Sequence, residues 1–213
     1  MSTFSCAPAL QLLMNVAMGQ DCALCLSRTQ VGLICAACAD SLPRAAAERP
    51  GAVAAFAYRF PVDRLVQRYK FAGDLALGRW LSLALAERVR AEPRPDLLVA
   101  PPLTAARLRE RGFNQSVEIA RIVGRELNVP YVIRGVRKVR ETAAQQGLGR
   151  RKRQRNVRGA FFCDLRLQGK RVAIVDDVLT TGATAATRAA VLGAAGAREV
   201  VTWTIARASR PGT

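Results

Sequence analysis

Residues 172–184 read VAIVDDVLTTGAT. Four apolar residues lead into the acid pair Asp176 and Asp177. Val178 and Leu179 follow, and Thr180, Thr181, Gly182, Ala183 and Thr184 open a helical pattern. The apolar run predicts a buried strand over 172–175. Open α/β sheets take ligands at the carboxyl ends of their strands, which is where the two acids fall. Small side chains, hydroxyls and consecutive backbone N–H groups at a helix N-terminus form an anion site. In this order the residues can hold a phosphate in the loop and accept hydrogen bonds from a sugar diol on the carboxylates. A plain strand–turn–helix with Asp and Thr as caps would not need the whole ordered set.

A second cluster is softer chemistry. Cys22 and Cys25 form one C-x2-C knuckle, and Cys35 and Cys38 form another. A tetrahedral zinc ion takes four such ligands from two tight turns. Four thiolates leave no open position, so the expected zinc is structural, and metal binding would supply much of the segment's folding energy. An iron–sulfur cluster is the alternative. Disulfides are disfavoured in a cytosolic chain. Cys6 and Cys163 stand apart from the cluster.

The chain has no histidine. That excludes Ser-His-Asp and Cys-His nucleophilic sites, His-ligated metals and imidazole general bases. Net charge is +17, which favours phosphorylated metabolites, nucleic acid or an acidic surface as partners. The charge is clustered, with 15 Lys and Arg against 4 Asp and Glu between residues 101 and 158. Arg107, Arg109 and Arg111 precede Gly112 and suit a diphosphate. Their alternation also fits one face of a helix start. Residues 150–155 hold five basic residues in six. They read as a nucleic-acid patch lacking stacking aromatics, or as a solvated loop.

These groups need a scaffold. Half the 213 residues are hydrophobic and only 6% aromatic, enough for one α/β domain with an appendage and a core of Ala, Val, Leu and Ile. A short amphipathic helix is expected over 9–18 and a linker over 44–51. Strands are expected over 53–58, 97–100, 129–133, 137–139, 159–163, 172–175 and 200–205. Helices are expected over 62–71, 77–90, 115–127 and 182–195, the third with Asn114 as N-cap. Residues 141–158 lack an apolar face and read as a long functional loop. Alternating strands and helices imply a mostly parallel sheet with helices on both faces. No targeting segment or membrane-length apolar run stands out, so a cytoplasmic protein is expected.

Residues 172–184 resemble the 5-phosphoribosyl-1-pyrophosphate (PRPP) signature of type I phosphoribosyltransferases. The resemblance implies that Asp176 and Asp177, the catalytic candidates, face the ribose 2′- and 3′-hydroxyls. It implies that Thr180, Thr181, Gly182, Ala183 and Thr184 wrap the 5′-phosphate. The cysteine knuckles, Lys70-Phe71-Ala72-Gly73-Asp74, Arg111-Gly112-Phe113-Asn114-Gln115, residues 145–148 and Arg155-Asn156-Val157 occur in the order seen in the ComF family. That family joins an N-terminal zinc ribbon to a phosphoribosyltransferase-like domain, and the match runs from about residue 22 to 207. One departure is Thr104, where many members carry histidine. The division implied is 1–50 for the lead-in and ribbon and 51–213 for the larger domain, a type I-like mostly parallel sheet flanked by helices.

The resembled fold places a pyrophosphate loop after the 97–100 strand, with Arg109, Arg111 and Gly112 as its candidates, and a hood over 150–155. Mg2+ would be held chiefly by diphosphate and ribose oxygens, with water completing its shell. Two functions stay open. One is a glycosyltransferase moving a phosphoribosyl group to an acceptor. The other is a non-catalytic PRPP sensor or single-stranded DNA-binding protein. ComF-type proteins are associated with competence and the DNA-uptake machinery, so a link to DNA uptake is expected under either.

Overall fold

The computed structural model describes residues 20–29, 32–46, 51–133, 136–138, 161–180 and 182–208. The expected helix at 9–18, the loop at 141–158 with its basic run, Cys6 and Thr181 lie outside the described residues. The chain divides between Leu42 and Pro43 into two compact units.

In the smaller unit, β1 (Gln20–Asp21) pairs antiparallel with β2 (Arg28–Thr29), and α1 (Ala36–Ser41) follows. The first knuckle is the turn between the strands. Leu26 closes it in the left-handed region, at φ 62°, with its N–H donating to the Cys22 carbonyl at 3.0 Å. Apart from Cys22, the buried hydrophobic residues described here are Ile34 and Leu42. So small an apolar core leaves the unit dependent on a further source of stability.

The larger unit begins where a linker was expected. Residues 44–46 instead run along the edge of β3 (Ala52–Ala57), with an antiparallel bridge between Arg44 and Phe56. The Ala57 N–H donates to the Pro43 carbonyl at 2.8 Å. Backbone pairing to an edge strand needs no apolar pattern, so composition gave no sign of it.

After β3 come α2 (Val62–Phe71), α3 (Leu75–Val89), β4 (Leu97–Val99), α4 (Ala105–Arg111), α5 (Gln115–Leu127) and β5 (Tyr131–Val132). A small antiparallel pair, β6 (Val136–Lys138) with β7 (Phe161–Cys163), precedes β8 (Arg171–Leu179), α6 (Ala183–Ala194) and β9 (Glu199–Arg207). The main sheet has the order β3-β9-β8-β4-β5, and every neighbouring pair is parallel. This is the mostly parallel sheet flanked by helices that the alternating pattern implied. Leu192 of α6 packs on Leu97, Val99, Val172 and Ile174. The residue between on β4, Leu98, lies against α5, where a Cβ on Gly124 would stand 3.6 Å from its side chain. Period-two alternation thus sends adjacent residues to two helix-covered faces. Among the described residues no helix is long and apolar enough to cross a membrane.

Two details position the site. Strand β8 does not stop at Val175 as the apolar run suggested. It continues through both acids to Leu179, with Asp176 opposite Thr204, Val178 opposite Ala206 and Leu179 opposite Arg207. The ladder to β9 is made by backbone groups, so it passes through acidic side chains without interruption. The second detail is Gly78 on α3, where a Cβ would stand 2.2 Å from the buried Tyr69 ring. Only glycine lets α3 approach this closely the last turn of α2, which carries Lys70.

Candidate functional site

The acid pair lies at the carboxyl end of β8 and opens onto a cavity of about 320 Å3. Thr180, Gly182 and Thr184 line the same cavity. Gly182 holds φ at 78° as the N-cap of α6, and this cap makes no side-chain hydrogen bond. Helices α3, α4 and α5 are each closed at this position by a side chain, from Asp74, Thr104 and Asn114. The first turn of α6, through Gly182, Thr184 and Ala185, thus lines the cavity, and a helix N-terminus is where backbone N–H groups favour an anion. Ala183 opens the helix but does not line the cavity.

The segment after β4, whose arginines fitted a loop or a helix start, is helical over Ala105–Arg111. Arg107 and Arg111 are four residues apart on α4, share one face, and both line the cavity. Arg109 is two residues from each, turned about 200° around the axis, and does not line it. Gly112 ends α4 in the left-handed region at φ 75°, its N–H donating to the Leu108 carbonyl at 2.9 Å. The Thr104 hydroxyl oxygen accepts the Arg107 N–H at 3.3 Å. Threonine at the point of departure from the resembled pattern thus serves as a helix cap.

Sequence reasoning gave Lys70, Ser116 and Arg188 no role, yet all three meet the acid pair. Lys70 Nζ stands 2.9 Å from Asp177 Oδ2. The Ser116 hydroxyl donates to Asp176 Oδ1 at 2.7 Å, and Arg188 donates to Asp176 Oδ2 at 2.7 Å. Burial and the neighbouring Asp176 charge push the Asp177 carboxyl above its ordinary value, while Lys70 pulls the other way. The only sequence signal for Lys70 was its place in the resembled motif at 70–74.

Gln115 ties these parts together. It is 1% exposed. Its Nε2 donates to the Lys70 carbonyl at 3.4 Å, and its Oε1 accepts from Arg111 at 3.2 Å. Its backbone carbonyl accepts from the Tyr69 hydroxyl at 3.2 Å. Phe113 packs against the Tyr69 ring, with centroids 5.6 Å apart. Asn114 caps α5 and donates to the Pro101 carbonyl at 2.9 Å.

In the smaller unit the four sulfurs of Cys22, Cys25, Cys35 and Cys38 lie within 4.8 Å of one another. Four sulfurs about 2.3 Å from a tetrahedral ion stand about 3.8 Å apart, and Cys25 and Cys35 are separated by 3.7 Å. Burial raises the Cys22 thiol, but backbone N–H groups, including those of Leu24 at 3.5 Å and Cys35 at 3.4 Å, outweigh it and bring it down to about 6. Cys38 is pushed up to about 12 by its sulfur neighbours Cys25 and Cys35. Crowded thiols that resist shared ionisation, with N–H groups aimed at one of them, suit a cation at their centre. The cluster can hold one metal ion. Cys163 lies on β7 and packs partly against the core.

No family model matches the chain. It is 37% identical over 156 residues to DNA utilization protein YhgH of Escherichia coli (strain K12), covering 70% of this chain and 69% of that one. It is 34% identical over 160 residues to Competence protein F of Haemophilus influenzae, covering 71% and 70%. Competence protein ComFC of Streptococcus pneumoniae is 29% identical over 154 residues, covering 72% and 67%. Among solved structures, the B. subtilis glutamine PRPP amidotransferase matches with a TM-score of 0.42 and 24% identity, covering 60% of this chain and 26% of that one. Adenine phosphoribosyltransferase from Thermoanaerobacter pseudethanolicus matches with a TM-score of 0.40 and 18% identity, covering 63% and 83%.

Proposed function

The chain belongs to the ComF family, and on that premise we propose that its larger unit binds PRPP or a related 5-phosphoribosyl compound. The observation that carries this reading is the order of groups around one cavity. Two carboxylates on β8 lie beside the start of α6, and Lys70, Arg107 and Arg111 also line the cavity. The 5′-phosphate takes the loop of Thr180, Thr181, Gly182, Ala183 and Thr184. The ribose hydroxyls donate to Asp176 and Asp177, and a diphosphate arm meets the α4 arginines. A magnesium ion accompanying the diphosphate would be held by ligand oxygens and water. In a transfer reaction the chain's part is to orient the ribose and neutralise charge at the departing diphosphate. The four cysteines hold zinc in a structural role.

Calorimetry tests the pocket. With PRPP and Mg2+, the Asp176→Asn/Asp177→Asn double variant should bind at least about a hundredfold more weakly. Hydrogen bonds to charged groups contribute about 1.5–3 kcal/mol each, and two are weakened. Equal affinities in parent and variant would remove the sugar-binding role of the pair.

A second reading concerns DNA. The relatives' names refer to DNA utilization and competence, and the net charge is +17. We propose a link to DNA uptake in which the basic residues 150–155 bind single-stranded DNA. Neutralising those five cations should flatten the slope of log affinity against log salt by about 0.7 for each phosphate that no longer meets a cation. An unchanged slope, or no DNA binding by the parent, rejects this role for the segment.

A further inference from the structure

Helix α4 ends at Arg111, Gly112 turns the chain in the left-handed region, and α5 begins at Gln115. Across this turn the Arg111 guanidinium meets the Gln115 side chain, where Nη1 donates to Oε1 at 3.2 Å. At its other end the same amide donates from Nε2 to the Lys70 carbonyl at 3.4 Å. A guanidinium only donates and a carbonyl only accepts, so both contacts require the amide the same way round. Gln115 is itself fixed. It is 1% exposed, and its backbone carbonyl accepts from the Tyr69 hydroxyl. Phe71, next to Lys70, supplies a second hold on the arginine. The guanidinium carbon of Arg111 stands 5.2 Å from the Phe71 ring centroid, although Phe71 is 64% exposed.

Neither hold cancels charge. Lys70 pairs with Asp177, whereas among the described residues no carboxylate pairs with Arg111. A carboxylate in place of the amide would fix the guanidinium and neutralise it as well. A neutral amide and an aromatic face fix a cation and leave its charge for another partner. Arg111 lines the cavity, and its buried Nε has no acceptor among the described residues. Holding a flexible arginine in place before a ligand arrives lowers the ordering cost of binding.

We infer that Gln115 and Phe71 are positioning residues that preset Arg111 for the diphosphate of the ligand, so that the cavity separates diphosphate-bearing from monophosphate phosphoribosyl compounds. The inference rests on the reading that this cavity takes a phosphoribosyl ligand. It explains why a buried amide, and not an acid, stands beside the arginine.

The test is calorimetry of the full chain with PRPP and with ribose 5-phosphate, which lacks the diphosphate, at the same millimolar Mg2+. The parent should prefer PRPP by at least about tenfold. Arg111→Met should lower that preference by at least about tenfold. Gln115→Glu should lower it by as much with Arg111 still present, because the new carboxylate takes up its charge. Phe71→Leu should lower it by about two- to fivefold, the effect of losing an exposed cation–π contact. The ratio of the two affinities is the readout, since general damage to the site weakens both ligands alike. A Gln115→Glu protein with the parent's ratio overturns the positioning role. A parent that binds both ligands equally well overturns the inference and leaves the phosphoribosyl reading standing. A parent that binds neither overturns that reading, and the inference with it. Should Gln115→Glu fail to fold, Phe71→Leu decides the matter, and an unchanged ratio there overturns the inference.

Discussion

Cys22→Ser is expected to abolish metal retention and to unfold the segment around the two knuckles. Cys22 is fully buried and accepts N–H groups from Leu24 and Cys35. Its sulfur is therefore the one most firmly placed before metal arrives. A serine oxygen is harder, less readily deprotonated and held on a shorter bond than a thiolate, so the tetrahedral set loses a corner. Structural zinc supplies about 10–16 kcal/mol of apparent folding energy in small cysteine sites at neutral pH. Ile34 and Leu42, the buried apolar side chains described in this unit besides Cys22, cannot replace that. Elemental analysis of freshly reduced protein should find one zinc per chain in the parent and none in the variant. Amide resonances of residues 20–42 should collapse toward random-coil positions. Metal retained at one per chain in Cys22→Ser, or none in the parent, would contradict the assignment. Iron in place of zinc would identify the cluster alternative.

Lys70→Met is expected to lower stability by about 3 kcal/mol at neutral pH, because it leaves a buried carboxylate without its cation. For a unit of this size that is a fall of about 6–12 °C in Tm. The deficit should depend on pH in a definite direction. Burial and Asp176 already raise Asp177, and Lys70 opposes them. Without Lys70 the folded-state value rises further above the unfolded one. An acid raised by folding is stabilising when protonated and loses that contribution as pH rises through its folded value. The gap between variant and parent should therefore be widest on the alkaline side of the raised Asp177 value and should close on acidification through it. Thermal unfolding of both proteins across that range checks it. A gap that stays constant with pH would mean that poorer packing, and not an orphaned carboxylate, causes the destabilisation.

What could be read from the sequence was local. Helix α5 runs from Gln115 to Leu127 as its periodicity and the Asn114 cap predicted, and α2 likewise spans Val62–Phe71. Each of those signals lies within one turn of the boundary it marks. Strand β8 was cut short because its apolar run ends at Val175, while its ladder to β9 runs on to Leu179. The α4 arginines were ambiguous because three alternating cations fit a loop or a helix, and only the helix separates Arg109 from Arg107 and Arg111. The distant partners of the acid pair were hardly legible, Lys70 only through its place in the resembled motif at 70–74. Lys70 lies 107 positions before Asp177, and Ser116 lies 60 before Asp176. No periodicity connects residues brought together by a crossover between parallel strands. The acid pair and the Thr/Gly segment that follows it could be read together because one strand–turn–helix carries them both.

A structure of the full chain with PRPP tests the central claim most directly. The 5′-phosphate is expected within hydrogen-bond distance of the backbone N–H groups that open α6. The ribose hydroxyls should lie on Asp176 and Asp177, with Lys70 still within reach of Asp177. PRPP bound away from this cavity, or bound in it with the ribose turned from both carboxylates, would contradict the claim.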